Sequence, residues 1–201
     1  TTPQTLDEFM AVALAMENEA VDRYTDFADM METHNNGDVA ALFRTMAGYE
    51  AKHAQHIMAQ MGWKTAPAVP RELVCWPGYE SPEAAAVDEV HYLMQPWHAL
   101  QLALAAEQRA EAFFGQLAAM TTNEAVRAAA LELQAEEAEH VGLVKAWMVK
   151  VPQPDDPLPA IRELPQKPPT KNADGEIPSL RTETSRTFDN CNLAAAGIEY
   201  A

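Results

Sequence analysis

Cysteine is scarce in this chain. The 201 residues contain only Cys75 and Cys191, with no CxxC pair, so a zinc ribbon, a cysteine-ligated iron centre and a dense disulfide framework are all excluded by count. A disulfide between two such distant cysteines is not expected. Basic residues are also few: 14 Lys and Arg stand against 30 Asp and Glu, a formal charge of −16. Nucleic acid and anionic lipid would each need a basic face, so neither is expected as a partner, and cations suit this surface better. No apolar run approaches the roughly 18 residues of a membrane span. The opening "TTPQTLDEFMAVALAMENEA" lacks the basic and apolar regions of a secretion signal. These absences lead us to expect a soluble, cytoplasmic protein with no membrane partner.

The chain does have enough apolar content, 48% hydrophobic residues, to build one domain with a core. Thr5-Leu6-Asp7-Glu8 has the form of a capping box, and Phe9, Val12, Ala13, Met16, Ala20 and Tyr24 follow at helical spacing. This first helix is predicted to run to about His34. "NNGD" at 35–38 reads as a stop and restart, with Gly37 in the left-handed turn and Asp38 as the next N-cap. A second helix follows, carrying Leu42, Met46, Tyr49, His53, Ile57 and Met61.

Prolines and glycines from Gly62 to Ser81 mark a crossover. Ser81-Pro82-Glu83 reads as the start of a short helix, and Pro96 as a break before a third long helix reaching Met120. Thr121 to Glu124 offers another capping box for a fourth helix, ending near Trp147. Residues 1–150 therefore form an expected all-α four-helix domain with a long crossover between helices 2 and 3. Residues 151–201 hold eight of the fourteen prolines and form an expected extended tail, either disordered or laid along a neighbouring subunit.

Chemistry enters through a repeat. "EAKH" at Glu50–His53 recurs as "EAEH" at Glu137–His140, and "ENEAVDRY" from Glu17 is echoed by "EQRAEAFF" from Glu107. The offsets are 90 residues for the first-helix pair and 87 for the second, so the chain reads as an internal duplication. Residues i and i+3 of a helix lie about 60° apart, so each glutamate and its histidine can aim at one point. Asp88-x-x-His91 lacks such an echo and is read as chance. A glutamate from each of two helices plus Glu-x-x-His from each of the other two is the pattern of carboxylate-bridged di-iron or di-manganese sites in helical bundles. The expected ligands are thus Glu17, Glu50, His53, Glu107, Glu137 and His140. Four carboxylates balance two divalent cations, and imidazole moves the preference from calcium or magnesium toward iron or manganese. Glu17 and Glu107 follow apolar runs where a lone carboxylate would be costly. Glu19, Asp22, Glu111, Glu136 and Glu139 are read as a solvated face, with Glu111 near the site's rim. His56 is read as supporting the site from behind its ligands, and Met58, Met61, Trp97 and Met120 as core packing.

Over residues 5–150 these motifs resemble the rubrerythrin branch of the ferritin-like superfamily. The shared signature is glutamate, alanine at +3 and tyrosine at +7 on one helix, then Glu-x-x-His on the next, then a second copy. The resemblance implies a ferritin-like four-helix bundle holding two iron ions per chain, with manganese as the alternative. It makes Glu17 and Glu107 terminal ligands, Glu50 and Glu137 bridging ligands, and His53 and His140 nitrogen ligands. Tyr24 would lie beside the metals as a catalytic residue, hydrogen-bonded to a ligand carboxylate, and Phe114 holds the matching place in the second half. Two departures stand out: no cysteine-ligated electron-transfer domain is present, and the extra glutamate these proteins carry three residues after the helix-three ligand is Ala110 here. The implied activity is reduction of hydrogen peroxide or dioxygen with an external electron donor, in a homodimer or higher homo-oligomer. Ferroxidase or iron handling is one alternative and a di-manganese catalase another. "DGEIPSLRT" at 174–182 is similar to the peptides that direct ferritin-like cargo into encapsulin shells.

Overall fold

Thr5 accepts a hydrogen bond from the Glu8 amide while the Glu8 carboxylate accepts from the Thr5 amide, so the expected capping box forms and starts α1, Leu6–Thr33. The computed structural model describes residues 2–74, 81–85 and 87–154. Three further α-helices follow: α2, Gly37–Gln60; α3, Pro96–Met120; and α4, Glu124–Met148. Two short 3-10 turns, Arg71–Leu73 and Val87–Glu89, lie in the crossover, and no strand occurs among the described residues. Both cysteines, most of the tail and the 174–182 segment fall outside the described residues.

Each helix carries a stripe that contributes to two separate apolar blocks. One block takes Phe9 to Met16 of α1, Ala54 and Ile57 of α2, Ala110 to Ala118 of α3 and Val126 to Leu133 of α4. The other takes Ala20 to Met31, Val39 to Ala47, Ala99 to Ala103, and Val144. The order of the blocks along the chain gives the direction of each helix. α1 and α4 pass from the first block to the second, whereas α2 and α3 pass from the second to the first. α2 and α3 are therefore parallel, which is why a long crossover must carry the chain back along a helix about 35 Å in length. α1 packs chiefly on α2 and α3 chiefly on α4, giving two helix pairs in a four-helix bundle.

Several local expectations change. At the first turn the left-handed residue is Asn35, φ 58°, and the N-cap is Asn36, so Gly37 is already helical. The cause is a long-range contact: Asn36 Nδ2 donates to the Met94 and Tyr92 carbonyls of the crossover, at 2.8 and 3.3 Å. Asn123, not Thr121, caps α4, its Oδ1 accepting from the Ala125 and Val126 amides while its Nδ2 donates to the Gln4 carbonyl. Ser81-Pro82-Glu83 starts no helix. Pro96 does mark the boundary before the third long helix, and opens α3 as its first residue. Met120 is exposed instead of packed, whereas Met58 and Met61 do pack on the first block.

Candidate metal centre

Glu17, Glu50, Glu107 and Glu137 are all buried. Each sits on its helix between the residues that feed one apolar block and those that feed the other, so together they form a polar layer across the bundle. α1 and α2 bring Glu17, Glu50 and His53 together, and α3 and α4 bring Glu107, Glu137 and His140 together. In each triad one ligand atom per residue lies within 4.8 Å of the others. All six expected ligands thus converge, in two copies of one arrangement.

The histidines join the copies. Their rings stack with centroids 4.3 Å apart and planes within 5° of parallel. Both turn Nδ1 inward: His53 Nδ1 lies 3.3 Å from Glu50 Oε2 and 3.6 Å from Glu17 Oε2, and His140 Nδ1 lies 3.3 Å from Glu137 Oε2 and 3.4 Å from Glu107 Oε2. Burial alone would lower the imidazole pKa, but the facing carboxylates raise it to about 10 for both His53 and His140. Burial acts the other way on the acids. Desolvation, with the other carboxylates adding repulsion and the histidines opposing, raises Glu50 to about 7 and Glu137 to about 8. Imidazolium protons therefore stand where positive charge is wanted.

The two halves differ in detail. Glu137 and His140 are aligned as a hydrogen bond at 3.3 Å. Glu17 Oε2, Glu50 Oε2 and Glu107 Oε2 are buried with no hydrogen-bond partner, even though the histidine nitrogens lie within ion-pair distance. Buried carboxylate oxygens without donors are costly in a protein interior. Together with two inward nitrogens, these oxygens make a donor set that fits a pair of hard divalent cations.

Tyr24 is buried beside the layer and stacks on Phe43 at 6.0 Å. Its pKa is raised well above 10, first by burial and then by Glu107, Glu50 and Glu83. Its hydroxyl has no hydrogen-bond partner, so the expected bond to a ligand carboxylate is not made. Phe114, its counterpart, packs edge-on against Phe9 at 6.1 Å. His56 is exposed and does not support the site, because one turn beyond His53 the helix has rotated it outward. Glu19 is half-buried, near Arg23.

The sequence reading missed Glu83. This crossover residue is 1% exposed, and one of its oxygens lies within 4.8 Å of ligand atoms of Glu17 and Glu137. Burial, then Glu17, Glu50, Glu137 and Glu107, raises its pKa well above 4.5. No local signal marked it: in "SPEAAAV" the acid precedes a short apolar run, whereas Glu17 and Glu107 follow longer ones. Arg109 was also missed. Its guanidinium donates to the Pro82 and Ala84 carbonyls at 3.0 and 3.1 Å, pinning the segment that carries Glu83.

A cavity of about 160 Å³ reaches the layer. Met46, Tyr49, Leu143, Val144 and Trp147 form its apolar wall, and Glu50, Glu107 and His140 lie at its floor. No helix among the described residues is long and apolar enough to cross a membrane.

A family model described as Rubrerythrin matches residues 8–74. An uncharacterised conserved protein from Magnetospirillum magnetotacticum MS-1, known from a crystal structure, is similar at 36% identity and a TM-score of 0.57, over 76% of this chain and 99% of the other. A search of the curated proteins found no match.

Proposed function

Because the chain belongs to the rubrerythrin-like branch of the ferritin-like superfamily, we propose that it is a dimetal redox enzyme reducing hydrogen peroxide or dioxygen. Its resident cofactor in this reading is two iron ions per chain, with manganese as the alternative. Glu17, Glu50 and His53 would hold one ion, Glu107, Glu137 and His140 the other, and Glu50 and Glu137 would bridge. A ferrous pair supplies two electrons, one from each ion, and reduction of hydrogen peroxide to two waters takes two electrons and two protons.

The observation that carries the substrate class is the cavity. Its volume of about 160 Å³ is several times the roughly 30 Å³ share of one water and well below the 300 Å³ or so of pockets that take drug-sized ligands. Peroxide and dioxygen fit a space of this size. Met46, Val144 and Trp147 limit the water that reaches Glu50 and Glu107. His53 and His140 present Nδ1 inward, so this nitrogen must give up its proton before it can act as a ligand. Glu50 and Glu137 likewise hold protons near neutral pH and release them on cation binding. The 201 residues contain no CxxC pair, so electrons come from an external donor. Leu131 and Leu143 of α4 are about half exposed and offer apolar contact to a second copy, as in the homodimer we expect; a light-scattering mass of one chain would remove that part.

Stopped-flow oxidation of the anaerobically iron-loaded protein tests the reading. Faster oxidation by hydrogen peroxide than by dioxygen, with turnover dependent on an added donor, is expected. Preferential reaction with dioxygen and continued turnover on ferrous ion alone would make it a ferroxidase. Oxygen release from peroxide by the manganese-loaded protein would make it a catalase.

A further inference from the structure

We propose that Glu83 is a seventh ligand of the cation pair, a carboxylate brought to the bundle's polar layer by the crossover. The inference rests on the dimetal reading above and extends it to a residue outside the four helices.

Both Glu83 oxygens are buried without a hydrogen-bond partner. A buried carboxyl group normally finds a donor, because leaving one unpaired costs about 1–3 kcal/mol or more. None is supplied here; instead Glu83 faces Glu17 and Glu137, within 4.8 Å. Those two residues belong to opposite triads, so Glu83 is placed between the halves and can contribute to both. Arg109 holds the carbonyls on either side of Glu83, those of Pro82 and Ala84, and the Ser81 amide donates to Glu19 Oε1 at 3.3 Å. Arg109 and Glu19 each lie two residues past a ligand, Glu107 and Glu17, so the helices that carry ligands also grip the segment that carries Glu83.

Position agrees with this role; four ionised glutamates already balance two divalent cations, so Glu83 enters as an oxygen donor and not as a needed counter-charge. Ala110, one turn after Glu107, is buried and adds no oxygen, and the fully buried fifth carboxylate is the one the crossover supplies, Glu83.

The test uses Co²⁺ as a spectroscopic probe of the full chain, whose visible bands weaken as the coordination number rises. Wild type is expected to bind two Co²⁺ per chain. Glu83→Gln, which keeps size and shape, is expected to weaken at least one of them about tenfold or more and to intensify its visible bands, while the metal-free variant melts no lower than wild type. In wild type, Co²⁺ loading should also slow amide exchange in the peptide around 81–90. Affinity and spectrum unchanged in Glu83→Gln would overturn the assignment, as would exchange around 81–90 that ignores the metal while the α2 and α4 ligand segments respond. Three Co²⁺ in wild type falling to two in the variant would give Glu83 to a separate ion and overturn it as well. Wild type that binds no Co²⁺ would instead bring down the dimetal reading itself.

Discussion

At Glu50 one carboxylate meets several demands at once: it is buried, it faces His53 at 3.3 Å, and its Oε2 has no hydrogen bond. Glu137 is its counterpart. Replacing either with alanine should lose both ions rather than one, because a bridging ligand serves each; elemental analysis that still found two metals per chain would refute the bridging roles. Tyr24 makes a different prediction. Its hydroxyl is buried and unpaired, so Tyr24→Phe should leave the metal-free fold as stable as before or about 1 kcal/mol more stable, with the ring stack on Phe43 kept. A loss of more than about 1 kcal/mol in urea unfolding would mean the hydroxyl has a partner in solution. The convergence of Glu17, Glu50, His53, Glu107, Glu137 and His140 could be read from sequence because helical spacing converts a linear repeat into a spatial one. Glu83 could not, since the direction in which a loop side chain points depends on contacts such as the Arg109 clamp, which lie far away in the chain.

Among the elements, the helices and most of their ends were legible, while the caps that open α2 and α4 were not. Periodicity and the Thr5 box are local signals. The choice among Asn35, Asn36 and Gly37 is made by crossover carbonyls at Tyr92 and Met94, and the choice of Asn123 over Thr121 is helped by the Gln4 carbonyl. Three neighbouring residues that all tolerate a turn leave the decision to tertiary structure. Asn35 sits at φ 58°, so Asn35→Val should destabilise by about 1–2 kcal/mol, whereas Asn35→Gly should stay within a few tenths. Denaturant midpoints measure both, and equal midpoints for the two variants would count against the left-handed turn.

For the molecule as a whole, the polar layer sets the response to pH. Glu50 and Glu137 are raised to about 7 and about 8 in the fold, so their stabilising protons are fully present below pH 4.5 and are lost as pH rises through those values. His53 and His140, at about 10, contribute fully below 6.5 and lose that contribution as pH rises through 10. All four groups act in the same direction. The melting temperature of the chelated protein should therefore fall between pH 5 and about 9, while the gain from added metal widens, because a cation needs the deprotonated ligands. A rising apo melting temperature over that interval would contradict this. The layer also acts as a gauge of alignment. Sliding α1 or α3 along its neighbour by a single turn, about 5.4 Å, would carry Glu17 or Glu107 into one of the two apolar blocks and away from the imidazole it faces, His53 or His140. Apolar surfaces tolerate many offsets, but four buried acids tolerate one, so the residues that would hold the cations also rule out the mis-stacked bundles that greasy helices alone would permit.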